Sequence, residues 1–306
     1  MKTSRLLLIL SVFAFVSCRP DGADKDATAE LTNEAKAMNA LAKKGARFSK
    51  MDAKIHPAFD PPYWGVGVND ARINDDDITL LKHIDAIKSI SLGESSITSA
   101  GIRTILKNRA IERLSLGVLT ATDESLEEID QLKNLKYLFL GNSSVTDRCL
   151  AKLKGSTLLT HLDLTATRVT DEGLKDLADL PRLYNLQLGR TKISDEGLKY
   201  VAKMTTLHDV VLGHTGITDE GLAHLPQSRS IVGLGVGWTS VTDRGMKHLA
   251  GMSKLERLTV SGISDEGLAA LESAKSLKEL AIGVPKVTDA GLARLRKALP
   301  GIIIRK

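Results

Sequence analysis

The stretch Leu159–Leu177, LTHLDLTATRVTDEGLKDL, decides how this chain folds. Moved along by 24 residues it returns from Leu183 as LYNLQLGRTKISDEGLKYV. Further copies begin at Leu207 and Ile231 and, toward the N-terminus, at Leu135, Ile111 and Ile87. A fixed period of this length marks an array whose units pack only on their neighbours. Counting positions from the first Leu of a unit, Leu159, Leu162 and Leu164 (1, 4 and 6) are the buried side of a short strand, because alternate strand residues share a face. Position 11, Val169 here, is β-branched in most units. Thr170, Ser194, Thr218 and Thr242 at position 12 are suited to cap helices, and Asp171, Asp195, Asp219 and Asp243 follow in the first turn. Leu174 and Leu177, three apart, form the inward stripe of a short helix.

The pattern extends beyond its clearest copies. Tyr63, Val66, Val68, Ile73 and Ile78 take the same positions, so the first unit starts at Tyr63. The unit from Leu255 is two residues shorter, with Val260 followed by Ile263 after only Ser-Gly. The next begins at Leu277, and Leu299–Ile304 supplies one terminal strand. Residues 63–306 are thus about ten units, mostly of 24 residues. The expected fold is α/β: a right-handed solenoid bent into a horseshoe, with a parallel sheet on the concave side and helices on the convex side.

The N-terminus reads differently. Lys2 and Arg5 precede Leu6–Val16, an apolar run too short to span a bilayer as a helix. It closes on Phe15-Val16-Ser17-Cys18. This resembles the bacterial lipoprotein signal, although Phe15 replaces the usual Leu. The resemblance implies a signal over 1–18 and diacylation of Cys18, the new N-terminus. Several acyl chains anchor durably where one binds only marginally. Residues 19–29, with Pro20, Gly22 and alternating charges, suit a flexible tether. Residues 30–62 suit a cap and connector. In Glu30–Lys44 the residues Leu31, Ala35, Met38, Leu41 and Ala42 fall at helical spacing, so an amphipathic helix is expected to cover the open first unit. An edge strand over Ala46–Lys50 and a rigid connector with Pro57, Pro61 and Pro62 complete this part.

The repeating motif, L-x-x-L-x-L-x-x-T-x-[IV]-[TS]-D-x-G-L-x-x-L, is similar to that of bacterial leucine-rich-repeat proteins of the Thr-Asp-Glu-Gly-Leu type and to the cysteine-containing repeat subfamily. The resemblance covers Tyr63–Lys306 and implies an interaction surface; it carries no catalytic residue onto any position here. Thr167, Thr191, Thr215 and Thr239 stand where the family usually has Asn, and a hydroxyl can also bond the backbone of the turn. Leu119 and Pro285 occupy this position in two units, whose turns are expected to be less regular.

Composition excludes several classes. Lys plus Arg is 42 and Asp plus Glu is 37, a net +5 with both signs interspersed, and no basic-aromatic stripe suited to nucleic acid is present. Two cysteines, Cys18 and Cys149, make no disulfide framework. Gly233, Gly235 and Gly237 lie within a strand rather than in a strand-to-helix turn, so they suit a bare floor beside Trp238 and not a nucleotide loop. Asp75-Asp76-Asp77 starts a helix and lacks the spacing of a calcium loop. The position-13 aspartates from Asp123 to Asp289 read as helix caps. His161 and Asp163 have no Ser or Cys nucleophile beside them, since Cys149 falls at position 15, buried at the helix. His224 and His248 share position 18 without a third metal ligand. Neither an enzyme nor a metal or cofactor is expected.

Positions 3, 5, 7 and 8 point out of the sheet or lie at its edge. In the middle of the array they become large: Tyr137 and Phe139; His161 and Asp163; Asn185, Gln187 and Arg190; Asp209 and His214; Trp238. The repeat requires none of them, and aromatics with Arg are enriched at binding hot spots. The early units, with Ser89, Ser91 and Ser115, look plain. The expectation is an exported scaffold, lipid-anchored at the cell membrane or outer membrane, that binds a protein through its concave face. The alternative is a carbohydrate or cell-wall ligand stacked on Tyr137, Phe139 and Trp238.

Overall fold

The computed structural model describes residues 32–51, 63–68, 72–84, 87–93, 95–117, 121–284 and 286–306. The signal, Cys18, the tether, Leu119 and Pro285 lie outside these residues.

Among the described residues twelve strands join in one sheet in chain order. They are β1 (Arg47–Met51), β2 (Tyr63–Val68), β3 (Ile87–Leu92), β4 (Arg113–Leu116), β5 (Tyr137–Phe139), β6 (His161–Asp163), β7 (Asn185–Gln187), β8 (Asp209–Val211), β9 (Gly233–Gly235), β10 (Arg257–Ser261), β11 (Glu279–Gly283) and β12 (Ile303–Arg305). All neighbours pair in parallel except β1, which runs antiparallel to β2. The register matches position to position: Tyr137 faces His161, which faces Asn185, which faces Asp209. Parallel neighbours need a crossover, and the strands' own twist makes it right-handed.

Helices provide most of the returns. The N-terminal α1 (Asn33–Lys43) is followed by α2 (Asp75–Ile78), α3 (Ser99–Leu106), α4 (Asp147–Leu153), α5 (Asp171–Leu177), α6 (Asp195–Val201), α7 (Asp219–Leu222), α8 (Asp243–Leu249), α9 (Asp265–Leu271) and α10 (Asp289–Ala298). The unit from Ile111 returns through turns and a single 3-10 turn at Ile129–Gln131 instead. Strands sit ~4.8 Å apart while packed helices need ~8–10 Å, so the sheet takes the inner face of the curve.

The core lies between the two layers. Leu159, Leu162, Leu164, Val169, Leu174 and Leu177 are all buried, and each neighbouring unit repeats the arrangement. Burying one such side chain contributes about 2 kcal/mol. The N-terminal helix spans Asn33–Lys43 within the expected Glu30–Lys44, and the strand after it, Arg47–Met51, lies one residue later than Ala46–Lys50. Ala37 and Leu41 of α1 are buried, and the helix packs on Thr79–His83 of the first unit. Lys44 Nζ lies 2.7 Å from Asp77 Oδ1 and ties the cap to the array. Burial pushes the Asp77 carboxyl up, and Lys44 with the Asn74 amide outweighs it, holding the group below its ordinary value.

Candidate functional site

The convex side is organised by a ladder that the sequence pattern only half reveals. Position-12 residues take the N-cap place, where Thr146, Thr218 and Thr242 accept an amide of their own helix and Thr170 and Ser194 make no such side-chain bond. The position-13 aspartates, however, do not cap their own helices. Those before Asp289 reach the next unit: Asp147 Oδ1 accepts the Thr170 amide at 2.8 Å and Oδ2 accepts its hydroxyl at 2.7 Å. The same double bond joins Asp75 to Thr98, Asp123 to Thr146, Asp171 to Ser194, Asp195 to Thr218, Asp219 to Thr242, Asp243 to Ser264 and Asp265 to Thr288. At Gly173 the missing side chain makes room for it, since a Cβ there would lie 2.4 Å from Asp147 Oδ1. The rung is missing where position 13 is Ser99. There position 15 is Ser125, and its hydroxyl accepts the Thr122 amide at 2.9 Å.

The turn after each strand is equally regular. Thr167, Thr191, Thr215 and Thr239 donate their hydroxyls to the position-6 carbonyls at 2.5–2.7 Å. Position 8 adopts a left-handed backbone in Asn142, Ala166, Arg190, His214, Trp238 and Val284, with φ of 47–61°, a conformation uncommon outside glycine. This turn therefore aims Arg190, His214 and Trp238 along one edge of the sheet. His214 and Trp238 stack, with ring centroids 5.6 Å apart and planes 2° from parallel. Trp238 is 58% exposed.

With helix and turn polar groups engaged in the repeat, the sheet face carries the variable chemistry. A row of rings crosses four consecutive strand segments, and the Arg113 guanidinium extends it to a fifth. Arg113 lies over Tyr137 (5.3 Å) and Phe139 (4.6 Å). Tyr137 stacks on His161 at 4.6 Å, His161 lies 6.2 Å from Tyr184, and Tyr184 stacks on His208 at 4.6 Å. Burial, with Arg113 nearby, holds the His161 imidazole below its ordinary pKa, so the ring is neutral at pH 7. Farther along, Arg257 Nη2 reaches Asp209 Oδ1 at 2.6 Å across the intervening strand. It can do so because Gly233 lies beneath, where a Cβ would be 1.9 Å from that oxygen. The glycine floor expected to be bare is spanned by an ion pair.

A leucine-rich-repeat family model matches residues 155–178 and 203–225. The fold is a leucine-rich-repeat solenoid. No curated protein matches the chain. An internalin from Listeria monocytogenes, known from its crystal structure, is similar at 17% identity with a TM-score of 0.46, over 90% of this chain and 94% of the internalin.

The ten residues singled out on the leucine-rich-repeat face fall into three rows. Tyr137, His161, Asn185 and Asp209 align at position 3; Phe139, Asp163 and Gln187 align at position 5. Arg190, His214 and Trp238 occupy the position-8 edge. Asn185 Oδ1 accepts from Gln187 Nε2 at 2.8 Å, and Asp163 Oδ1 accepts from the Thr165 amide at 2.9 Å.

Sequence reasoning passed over Arg113, Tyr184, His208 and Arg257. Tyr184 and His208 sit at position 2, the column that also carries Lys88, Glu112 and Lys136. Glu112 is buried between Lys88 (2.7 Å) and Lys136 (2.8 Å). The sign alternation at 24-residue spacing was the signal available for that column. The early units are not plain either: a hollow of about 570 Å³ lies over them, its lining including Ser89, Ser91, Ser115, Arg113, Phe139 and Asp163.

Residues considered for chemistry are placed apart. Cys149 is buried in α4, and burial, with Asp123 nearby, pushes its thiol up to about 12. Thr160 Oγ1 lies 2.9 Å from His161 Nδ1. Among the described residues no group of three His, Cys, Asp or Glu side chains is placed to hold a metal ion.

Proposed function

We propose that this protein is a binding scaffold that recognises a protein partner through the exposed face of its parallel sheet. The observation that carries the reading is the row Arg113, Tyr137, His161, Tyr184 and His208, continuous across the sheet. The core and the inter-repeat ladder need none of these side chains, and pre-stacked rings lose little rotamer freedom on binding. Trp238 with His214 extends the surface at the turn edge. Replacing Tyr137, Tyr184 and Trp238 by Ala together is expected to abolish capture of a crosslinked native partner while the fold persists. Undiminished capture would refute the reading.

A saccharide ligand is the weaker reading. Its platforms were to be Tyr137, Phe139 and Trp238. Tyr137 is held between Arg113 and His161, and one face of Phe139 is covered by Arg113. Only Trp238 keeps high exposure.

The scaffold is placed outside the cytoplasm by acyl chains on Cys18. This rests on the sequence Phe15-Val16-Ser17-Cys18 after an apolar run. Among the described residues no helix is long and apolar enough to cross a membrane. Cys18→Ser is expected to release the protein from the membrane fraction, and continued sedimentation with membranes would sink the anchor.

A further inference from the structure

The charges on the sheet face at positions 3 and 5 are few. Among the described residues they are Arg113, Asp163, Asp209, Arg257, Glu279 and Arg305. Arg257 pairs with Asp209, and Arg305 pairs with Glu279 at 3.1 Å. Among the described residues no ion pair joins Arg113 or Asp163 to a charge of opposite sign, and both line the 570 Å³ hollow. Arg113 lays its guanidinium on Phe139 and Tyr137, which fixes its plane and leaves its N–H edges for a ligand. Asp163 spends Oδ1 on the Thr165 amide; its carboxylate leans over Gly141, where a Cβ would be 3.2 Å from Oδ2. Between the two charges lie Tyr137 and Phe139 of β5 with Ser115 beside them, while Ser89 and Ser91 line the hollow on the far side of Arg113.

Two strand steps and two residues along a strand separate Arg113 from Asp163, about 12 Å between backbones. An extended chain covers that span in three or four residues. We infer that the hollow is a subsite for an extended peptide segment of the partner, with a carboxylate on Arg113 and an amine on Asp163, three or four residues apart. This rests on the sheet-face reading above and deepens it. Ser115 beside that span, and Ser89 and Ser91 beyond Arg113, offer hydroxyls to peptide backbone, which needs hydrogen-bonding groups along its length. Arg113 takes one face of Phe139 from a sugar ring.

The test uses the full chain and end-blocked hexapeptides of Gly and Ser that carry one Glu and one Lys at separations of one to four residues. Controls replace either charge by Gln. Binding read by fluorescence polarisation is expected to be strongest at separations of three or four. Each Gln control, and the Arg113→Gln variant, should weaken it at least tenfold. Arg113→Lys, which keeps the charge and loses the stacked planar fork, should retain only part of it, and Arg113→Glu should shift preference to peptides with two Lys. Charge-independent binding, no binding by any peptide of the set, or a neutral oligosaccharide bound in an Arg113-dependent way would each overturn the assignment. If the peptides fail while partner crosslinks still form on the sheet, only this subsite falls. If the peptides bind and crosslinks form only on the convex helices, the scaffold reading falls and the subsite stands.

Discussion

Asp147 belongs to one repeat but completes the next: its two oxygens accept the amide and hydroxyl of Thr170, 23 residues on, at 2.8 and 2.7 Å. A solenoid unit has no core of its own and depends on its neighbours, so bonds of this kind fix one repeat's angle to the next. Asp147→Ala leaves the Thr170 amide and hydroxyl without that acceptor. The expected cost is about 2 kcal/mol, seen as a thermal midpoint lowered by about 5 °C. Asp147→Asn should recover only part of this, since its amino group faces donors. A melt identical to wild type would show the ladder to be ornamental.

Glu112 gives the array an acid-sensitive contact. Burial pushes its carboxyl up, and Lys136 and Lys88 outweigh burial, so the group sits below its ordinary pKa. A depressed folded pKa means stability that is present above the unfolded value of about 4.3 and lost as pH falls through the folded one. Glu112→Gln is therefore expected to lower the melting point at pH 7, by about 2 kcal/mol in stability. The offset between variant and wild type should be smaller at the lowest pH the fold tolerates than at pH 7. Equal offsets at both pH values would contradict this account.

Gly233 and the Asp209–Arg257 pair are coupled by space. Gly233→Ala brings a Cβ to 1.9 Å from Asp209 Oδ1, so the pair must move apart. The substitution should destabilise by about 1–2 kcal/mol. In an Asp209→Ala background the cost should shrink by half or more, which a double-mutant cycle in urea measures.

Trp238 separates recognition from stability. Its backbone φ of 61° is one that glycine adopts without strain, and the indole is largely exposed. Relief of strain and the added freedom of the unfolded chain nearly offset each other, so Trp238→Gly should change stability by less than ~0.5 kcal/mol. Any loss of partner binding in that variant then reports the indole itself.

The strand and helix of each unit were legible because Leu159, Leu162 and Leu164 alternate while Leu174 and Leu177 follow helical spacing. The Asp ladder was not, because a position-13 aspartate reads locally as a cap for its own helix, and its partner lies 23 residues away. Position 2 was missed for a geometric reason. Both position 1 and position 4 are buried, as Leu183 and Leu186 show, so strict alternation fails at the strand's entry and cannot place Tyr184. The ion pair over Gly233 skips a whole repeat, and the glycine between its partners was its only trace. Position 8 read as a loose surface column, whereas a repeated left-handed turn sets its direction. Arg113 escaped notice because its neighbours Ser89, Ser91 and Ser115 are small, and smallness there makes the hollow.

The central claim is that the sheet face, not the helix face, meets the partner. A photo-crosslinking residue placed at Tyr137, Tyr184 or Trp238, and separately at the helix residues Lys175 or Lys199, tests it in living cells. The account predicts one shared crosslinked product from the three sheet-face positions and none from the two helix positions. Crosslinks to that same product from Lys175 and Lys199, with none from the sheet, would contradict it.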